Sequence, residues 1–173
     1  GSGFCLFNDL FLAAKAMQKF SGRDNVLIID FDVHQGDGTA KLTQYDNSIF
    51  TVSVHGEKNF PYRKQHSNID IGMAKGCEDD EYLNAVQETL AMVAMQFQAD
   101  AIIYDAGVDI HINDDLGLLN ITTEGVSARD DMAFAFAERM GIPIAAVIGG
   151  GYQRDIDALV EVHLQLYKAA GVI

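Results

Sequence analysis

The sequence is short of cysteine, of positive charge and of long apolar runs. Cys5 and Cys77 are the only cysteines in 173 residues. Their spacing makes no metal-binding pair, and free, buried thiols fit a reducing cytoplasm. Twelve Lys and Arg stand against 25 Asp and Glu, a net charge of −13. A surface that acidic repels phosphate and argues against DNA or RNA as a partner. It would favour a basic substrate, or serve solubility alone. No apolar run approaches the ~20 residues of a membrane span, so no membrane partner is expected. The opening Gly1-Ser2-Gly3-Phe4 also lacks the basic start of a signal peptide. Long linkers, low-complexity tracts and signs of a second domain are missing too, so one domain over residues 1–173 is expected. An apolar content of 49% is enough for that domain to bury a core rather than stay disordered.

What is present is an alternation of short apolar runs and helical patterns. Val26–Ile29, Ile49–Val54, Ala101–Tyr104 and Ile144–Ile148 are rich in Val and Ile and show no polar alternation, as strands covered on both faces do. Asn8–Phe20 predicts a helix before the first of them. Asp80–Phe97 carries Tyr82, Leu83, Val86, Leu90, Val93 and Phe97 at spacings of three and four, and 126–140 and 156–167 behave alike. Gly141-Ile142-Pro143 ends one helix and launches the last strand. The expectation is an α/β fold, an open parallel sheet with helices on both faces. Gly56–Gly76 has neither periodicity and reads as a long surface loop, a kind of segment more often functional than idle.

Ligands of such sheets bind beyond the carboxyl ends of the strands, and the titratable residues gather there. Asp30, Asp32 and His34 follow the first strand, where period-two geometry points them to one side. Asp109 follows the third run through Asp105-Ala106-Gly107-Val108, and Tyr152 follows the last through Gly149-Gly150-Gly151. Two carboxylates and an imidazole can make a three-ligand zinc site with a position left for water. The competing, plainer reading is a set of N-cap and turn carboxylates. The glycine run would let backbone approach a ligand and set the phenol over the metal. No Lys-Ser or Lys-Thr follows it, which rejects a nucleotide loop.

The stretch Asp30-Phe31-Asp32-Val33-His34-Gln35-Gly36-Asp37-Gly38 resembles the metal-binding motif of the zinc-dependent histone deacetylase superfamily. That superfamily includes acetoin-utilisation proteins and acetylpolyamine amidohydrolases and shares its fold with arginase. Gly3-Phe4-Cys5-Leu6-Phe7-Asn8-Asp9, Ala106-Gly107-Val108-Asp109, Gly149–Tyr152, Asp115-Leu116-Gly117 and Lys58-Asn59-Phe60-Pro61 are similar to further family segments, leaning toward a class IV-like branch. The resemblance implies zinc on Asp32, His34 and Asp109, with ferrous iron as the alternative metal. It implies potassium on Asp30, Asp32, the His34 carbonyl, Ser53 and the Val54 carbonyl. It gives Tyr152 a hydrogen bond to the substrate carbonyl. Gly3, Phe4, Phe60, Leu116, Gly150 and Gly151 would line the substrate path. The implied reaction is hydrolysis of the amide of an acyl-lysine or of an acylated small amine.

One part of that pattern is missing. The family's general base and acid are a tandem histidine pair, which Asp30 and Asp37 would orient. The histidines here are His34, His55, His66, His111 and His163, and no two are adjacent. The expectation is therefore a C-terminal portion lacking the family's N-terminal strand and helices. Three explanations stand: a fragment of a longer product, a truncated module that binds metal or ligand without catalysis and self-associates, or His55 or His111 acting as base. The plainer readings are loop packing for His55, a surface rim for His111, and solvated positions for His66 and His163. Lys58, Arg63 and Lys64 read as a solvated basic cluster, and Met92, Met95, Met132 and Met140 as core filler.

Overall fold

The computed structural model describes residues 3–173; Gly1 and Ser2 lie outside the described residues. Its order is α1 (Asp9–Ser21), β1 (Val26–Asp30), α2 (Asp37–Thr43), β2 (Ile49–Gly56), β3 (Ile69–Met73), α3 (Asp79–Gln96), β4 (Ala101–Asp105), α4 (Thr123–Met140), β5 (Ile144–Val147) and α5 (Ile156–Ala169). The five strands form one parallel sheet in the order β3-β2-β1-β4-β5.

Alternate residues of β1 serve the two faces. Val26 and Ile28 pack with Leu10 and Ala14 of α1, while Leu27 and Ile29 join the larger core under α3, α4 and α5. With both faces covered, a run of apolar residues without alternation is what the strand requires. Each fully buried Leu or Ile there contributes about 1.5–3 kcal/mol. Helix ends follow local chemistry. The Asn8 side chain accepts from the Phe11 N–H at the start of α1, and Gly141 takes the left-handed conformation that ends α4.

Two departures from the sequence reading stand out. The segment 56–76 is not all loop, because Ile69–Met73 adds β3 beside β2. As an edge strand it is buried only at its ends, so the run is too short and too mixed to show a period. Helix α2 was also not anticipated; seven residues are too few for helical periodicity to emerge. Cys77 is buried as expected, whereas Cys5 is exposed.

The chain runs outward from β1 in both directions, to β2 and β3 on one side and to β4 and β5 on the other. The carboxyl ends of β1 and β4 therefore flank the point where strand order reverses, the usual place for a ligand crevice.

Candidate metal centre

Strand β1 ends at Asp30, and a tight turn takes over from strand geometry. Asp32 N–H donates to Asp30 Oδ1 at 3.1 Å and His34 N–H to Asp32 Oδ1 at 2.8 Å. Asp109 arrives from the loop after β4, where its Oδ1 accepts from Val33 N–H at 2.8 Å. His34 Nδ1 lies 3.1 Å from Asp32 Oδ1 and 2.9 Å from Asp109 Oδ2. One ligand atom from each of these three residues falls within 4.8 Å of the others, a group that could hold a metal ion.

Glycine permits this closeness. A Cβ on Gly150 would stand 2.0 Å from Asp109 Oδ2 and 2.6 Å from Asp32 Oδ2, and one on Gly107 would stand 2.3 Å from Asp32 Oδ2. The backbone also supplies a donor, Gly150 N–H to Asp32 Oδ2 at 2.7 Å. At Gly150 the absence of a side chain lets backbone pass close to both carboxylates.

The electrostatics are those of crowded acids. Burial pushes Asp109 up to about 7, with Asp32 adding repulsion, and Asp105 up to about 8, with Asp32 and Asp109 adding theirs. Asp30 is raised well above the carboxylate range by burial and by Asp105. Asp32 goes the other way, because hydrogen bonds from His34 outweigh its burial. Burial alone would lower His34, but its bonds to Asp109 and Asp32 outweigh that and carry it to about 10. Near neutral pH the crowding thus favours protonated Asp30 and Asp105 and a charged imidazole beside the Asp32 carboxylate. The donor set of two carboxylates and an imidazole suits zinc, and a divalent cation would hold the acids ionised and the imidazole neutral.

Asp32, His34 and Asp105 line a cleft of about 1020 Å³, whereas Asp109 is fully buried and is not part of its lining. Tyr152 lies on its wall, its ring 6.2 Å from that of His34 and 5.8 Å from that of Phe4. Gly3, Phe4, Phe60, Leu116, Gly150 and Gly151 all line it, as do Asp30 and Asp37. Asp37 is the first residue of α2. Asp30 pairs in register with Ser53 of β2. Ser53 and Val54 are buried, and the Ser53 hydroxyl bonds His55 Nδ1 at 3.0 Å.

His55 and His111 do not line the cleft. His111 is buried rather than on a rim, bonded to Thr123 Oγ1 and Gln153 Nε2. His163 is partly buried rather than solvated; its Nε2 packs where a Cβ on Gly151 would sit. His66 is exposed as expected. Lys64 is not free in solvent either, since it donates to the carbonyls of Asn59 and Pro61.

Three residues escaped the sequence reading. Asp105 ends β4 directly beside Asp30 and lines the cleft; its place at a strand end was the signal. Asp114 accepts from the backbone N–H groups of Leu116, Gly117 and Tyr152 and so ties the Leu116 loop to the Tyr152 loop. Arg129 is fully buried on α4. A charged residue three after Val126 and four before Ala133, inside an apolar stripe, was its signal.

An open parallel sheet with acids and an imidazole clustered at its strand reversal is the arrangement expected of the arginase/deacetylase-like fold. The histone deacetylase domain model matches residues 1–166, and the chain belongs to that family. An uncharacterized protein of Picosynechococcus sp. is 44% identical over 170 residues, covering 98% of this chain and 57% of that protein. Histone deacetylase 2 of Arabidopsis thaliana is 30% identical, covering 100% of this chain and 46% of that one. Among solved structures, the HDA15 HD domain superposes with a TM-score of 0.82 at 26% identity, covering 99% of this chain and 52% of that chain. The acetylpolyamine aminohydrolase of Burkholderia pseudomallei gives 0.85 at 22% identity, covering 99% and 51%, a likeness of fold. The chain thus spans about half the length of these relatives.

Proposed function

We propose that this chain is the metal-bearing portion of a zinc-dependent deacylase that hydrolyses the amide of an acyl-lysine or of an acylated small amine. The observation that carries the reading is the convergence of Asp32, His34 and the buried Asp109 within 4.8 Å, with Asp32, His34 and Tyr152 lining one cleft. Zinc held there, or ferrous iron in its place, would polarise the acyl carbonyl and make water nucleophilic near neutral pH.

The chain's own residues supply the rest. Tyr152 donates a hydrogen bond to the carbonyl oxygen as charge develops on it. Burial, reinforced by Asp32 and Asp109, pushes its phenol up to about 12, so the donor keeps its proton at neutral pH. Phe4 and Phe60, with Gly3 and Leu116, flank the apolar stem of the substrate, while Gly150 and Gly151 bring backbone to its acyl end. Asp30 and Asp37 are assigned to orienting the paired imidazoles that the family resemblance implies. Asp30, Asp32, His34, Ser53 and Val54 are assigned a potassium ion, which would offset acidic charge that zinc does not reach. Cytoplasmic residence is proposed on the two unpaired thiols.

One observation favours a second reading, a metal-binding module without turnover. No two histidines of this chain are adjacent, and His55 and His111 are buried away from the cleft. The deciding experiment measures bound zinc and hydrolysis of an acetyl-lysine peptide and an acetylated polyamine, with this chain and with any longer reading frame containing it. Zinc with turnover supports the deacylase. Zinc without turnover from either form selects the module, and no zinc at all sinks both.

A further inference from the structure

Behind the candidate metal centre lies a buried polar network. Arg129 and Asp130 on α4 are both without solvent exposure. Arg129 Nε and Nη2 donate to Asp130 Oδ1 at 3.0 and 2.8 Å, and that oxygen also accepts from the Tyr104 hydroxyl at 2.5 Å. The face of the guanidinium pointing away from Asp130 reaches the backbone. Nη1 donates to Gly107 O at 2.5 Å and to Phe31 O at 3.3 Å, and Nη2 to Ala106 O at 3.5 Å. The Tyr82 hydroxyl adds a longer contact to Phe31 O at 3.4 Å.

The three carbonyls are not arbitrary. Phe31 sits between Asp30 and Asp32, while Ala106 and Gly107 precede Asp109. Arg129 thus joins the two loops that carry the metal ligands, and it does so from the side opposite the cleft. Its charge is matched by Asp130 at 2.8 Å, so what it brings to the site is chiefly geometry rather than field. A planar fork with five donors can hold several fixed carbonyls at once, which a lysine ammonium on a flexible stem does not reproduce.

Resting on the metal reading above, we infer that Arg129 is a positioning residue: by clamping the Phe31, Ala106 and Gly107 carbonyls it sets the spacing of Asp32 and His34 against Asp109. Partners of this kind, one step behind the ligands, typically govern metal affinity by 10–100-fold.

The test is zinc affinity by chelator competition on the full 173-residue chain, with thermal unfolding in parallel. Arg129→Met alone leaves Asp130 charged and unpaired, which endangers folding. The principal variant is therefore Arg129→Met with Asp130→Asn, which removes both charges and keeps an acceptor for the Tyr104 hydroxyl. Leu90→Ala, on α3 in the same core and making none of the hydrogen bonds of this network, serves as a control that costs stability. The expected result is zinc binding weaker by roughly 10–100-fold in the double variant, wild-type affinity in Leu90→Ala, and intermediate affinity in Arg129→Lys. Unchanged affinity in the double variant overturns the role of Arg129, as does an equal loss in Leu90→Ala. A wild-type chain that binds no zinc overturns the metal reading and this inference together.

Discussion

At the scale of single residues, what matters is how little room the ligands have. Asp109 is buried, and its two oxygens are both engaged, one by Val33 N–H and the other beside His34. Asp109→Ala is expected to abolish zinc binding while leaving the far-UV circular dichroism unchanged, because the sheet does not depend on its side chain. Gly150→Ala should weaken zinc by tenfold or more, on the order expected for displaced ligand support. Its new methyl would meet Asp109 Oδ2 and Asp32 Oδ2 at distances no real Cβ tolerates; chelator competition reads the outcome, and wild-type affinity would show that the loop can yield. Tyr152→Phe keeps the metal donors and removes one hydrogen bond to the developing oxyanion. Its expected effect is a drop in turnover of roughly 10²–10³ at unchanged zinc content in the catalytically competent form, and full activity would remove the phenol from the mechanism.

Elements act by carrying these residues to a common point. β1 and β4 lie side by side in register, with Asp30 opposite Asp105, so their exits deliver both ligand loops to the same crevice. Helices α3 and α4 hold that pair from one side, through the buried stripe of Tyr82, Val86, Leu90 and Val93 and through Val126, Ala133 and Phe136. Leu90→Ala removes side-chain volume from that stripe and is expected to cost about 2–5 kcal/mol in urea unfolding. A loss well under 1 kcal/mol would mean that the helix settles to fill the space. The central strands and long helices were legible because each repeats a period over several turns or sits wholly inside, whereas β5, expected to be covered on both faces, is an edge strand with no buried residue. β3 and α2 were not legible, since an edge strand of five residues and a helix of seven leave too little pattern to count.

Over the whole molecule, the distribution of exposed apolar surface stands out. Phe4, Leu6 and Phe7 are more than 70% exposed, and Val147 and Ile148 at the end of edge strand β5 are also open to solvent. A sheet edge and an apolar patch in solution favour contact with another chain. We propose self-association of the isolated chain, seen as a rise in light-scattering mass with concentration; a monomer at all concentrations would count against it.

The amino-acid order alone determined much of this protein. Residues that repeat at two, three or four positions, or form apolar runs, report burial directly, and so give the strands and long helices. Motif residues adjacent in the chain, such as Asp30 to Asp37, carry their chemistry on their face. Only the tertiary structure decided that Asp109, distant in sequence, closes on His34, that His111 turns inward, and that Arg129 braces two loops from behind. These depend on which strands become neighbours and where a helix docks, and that is settled by packing over the whole sheet rather than by any local run of residues.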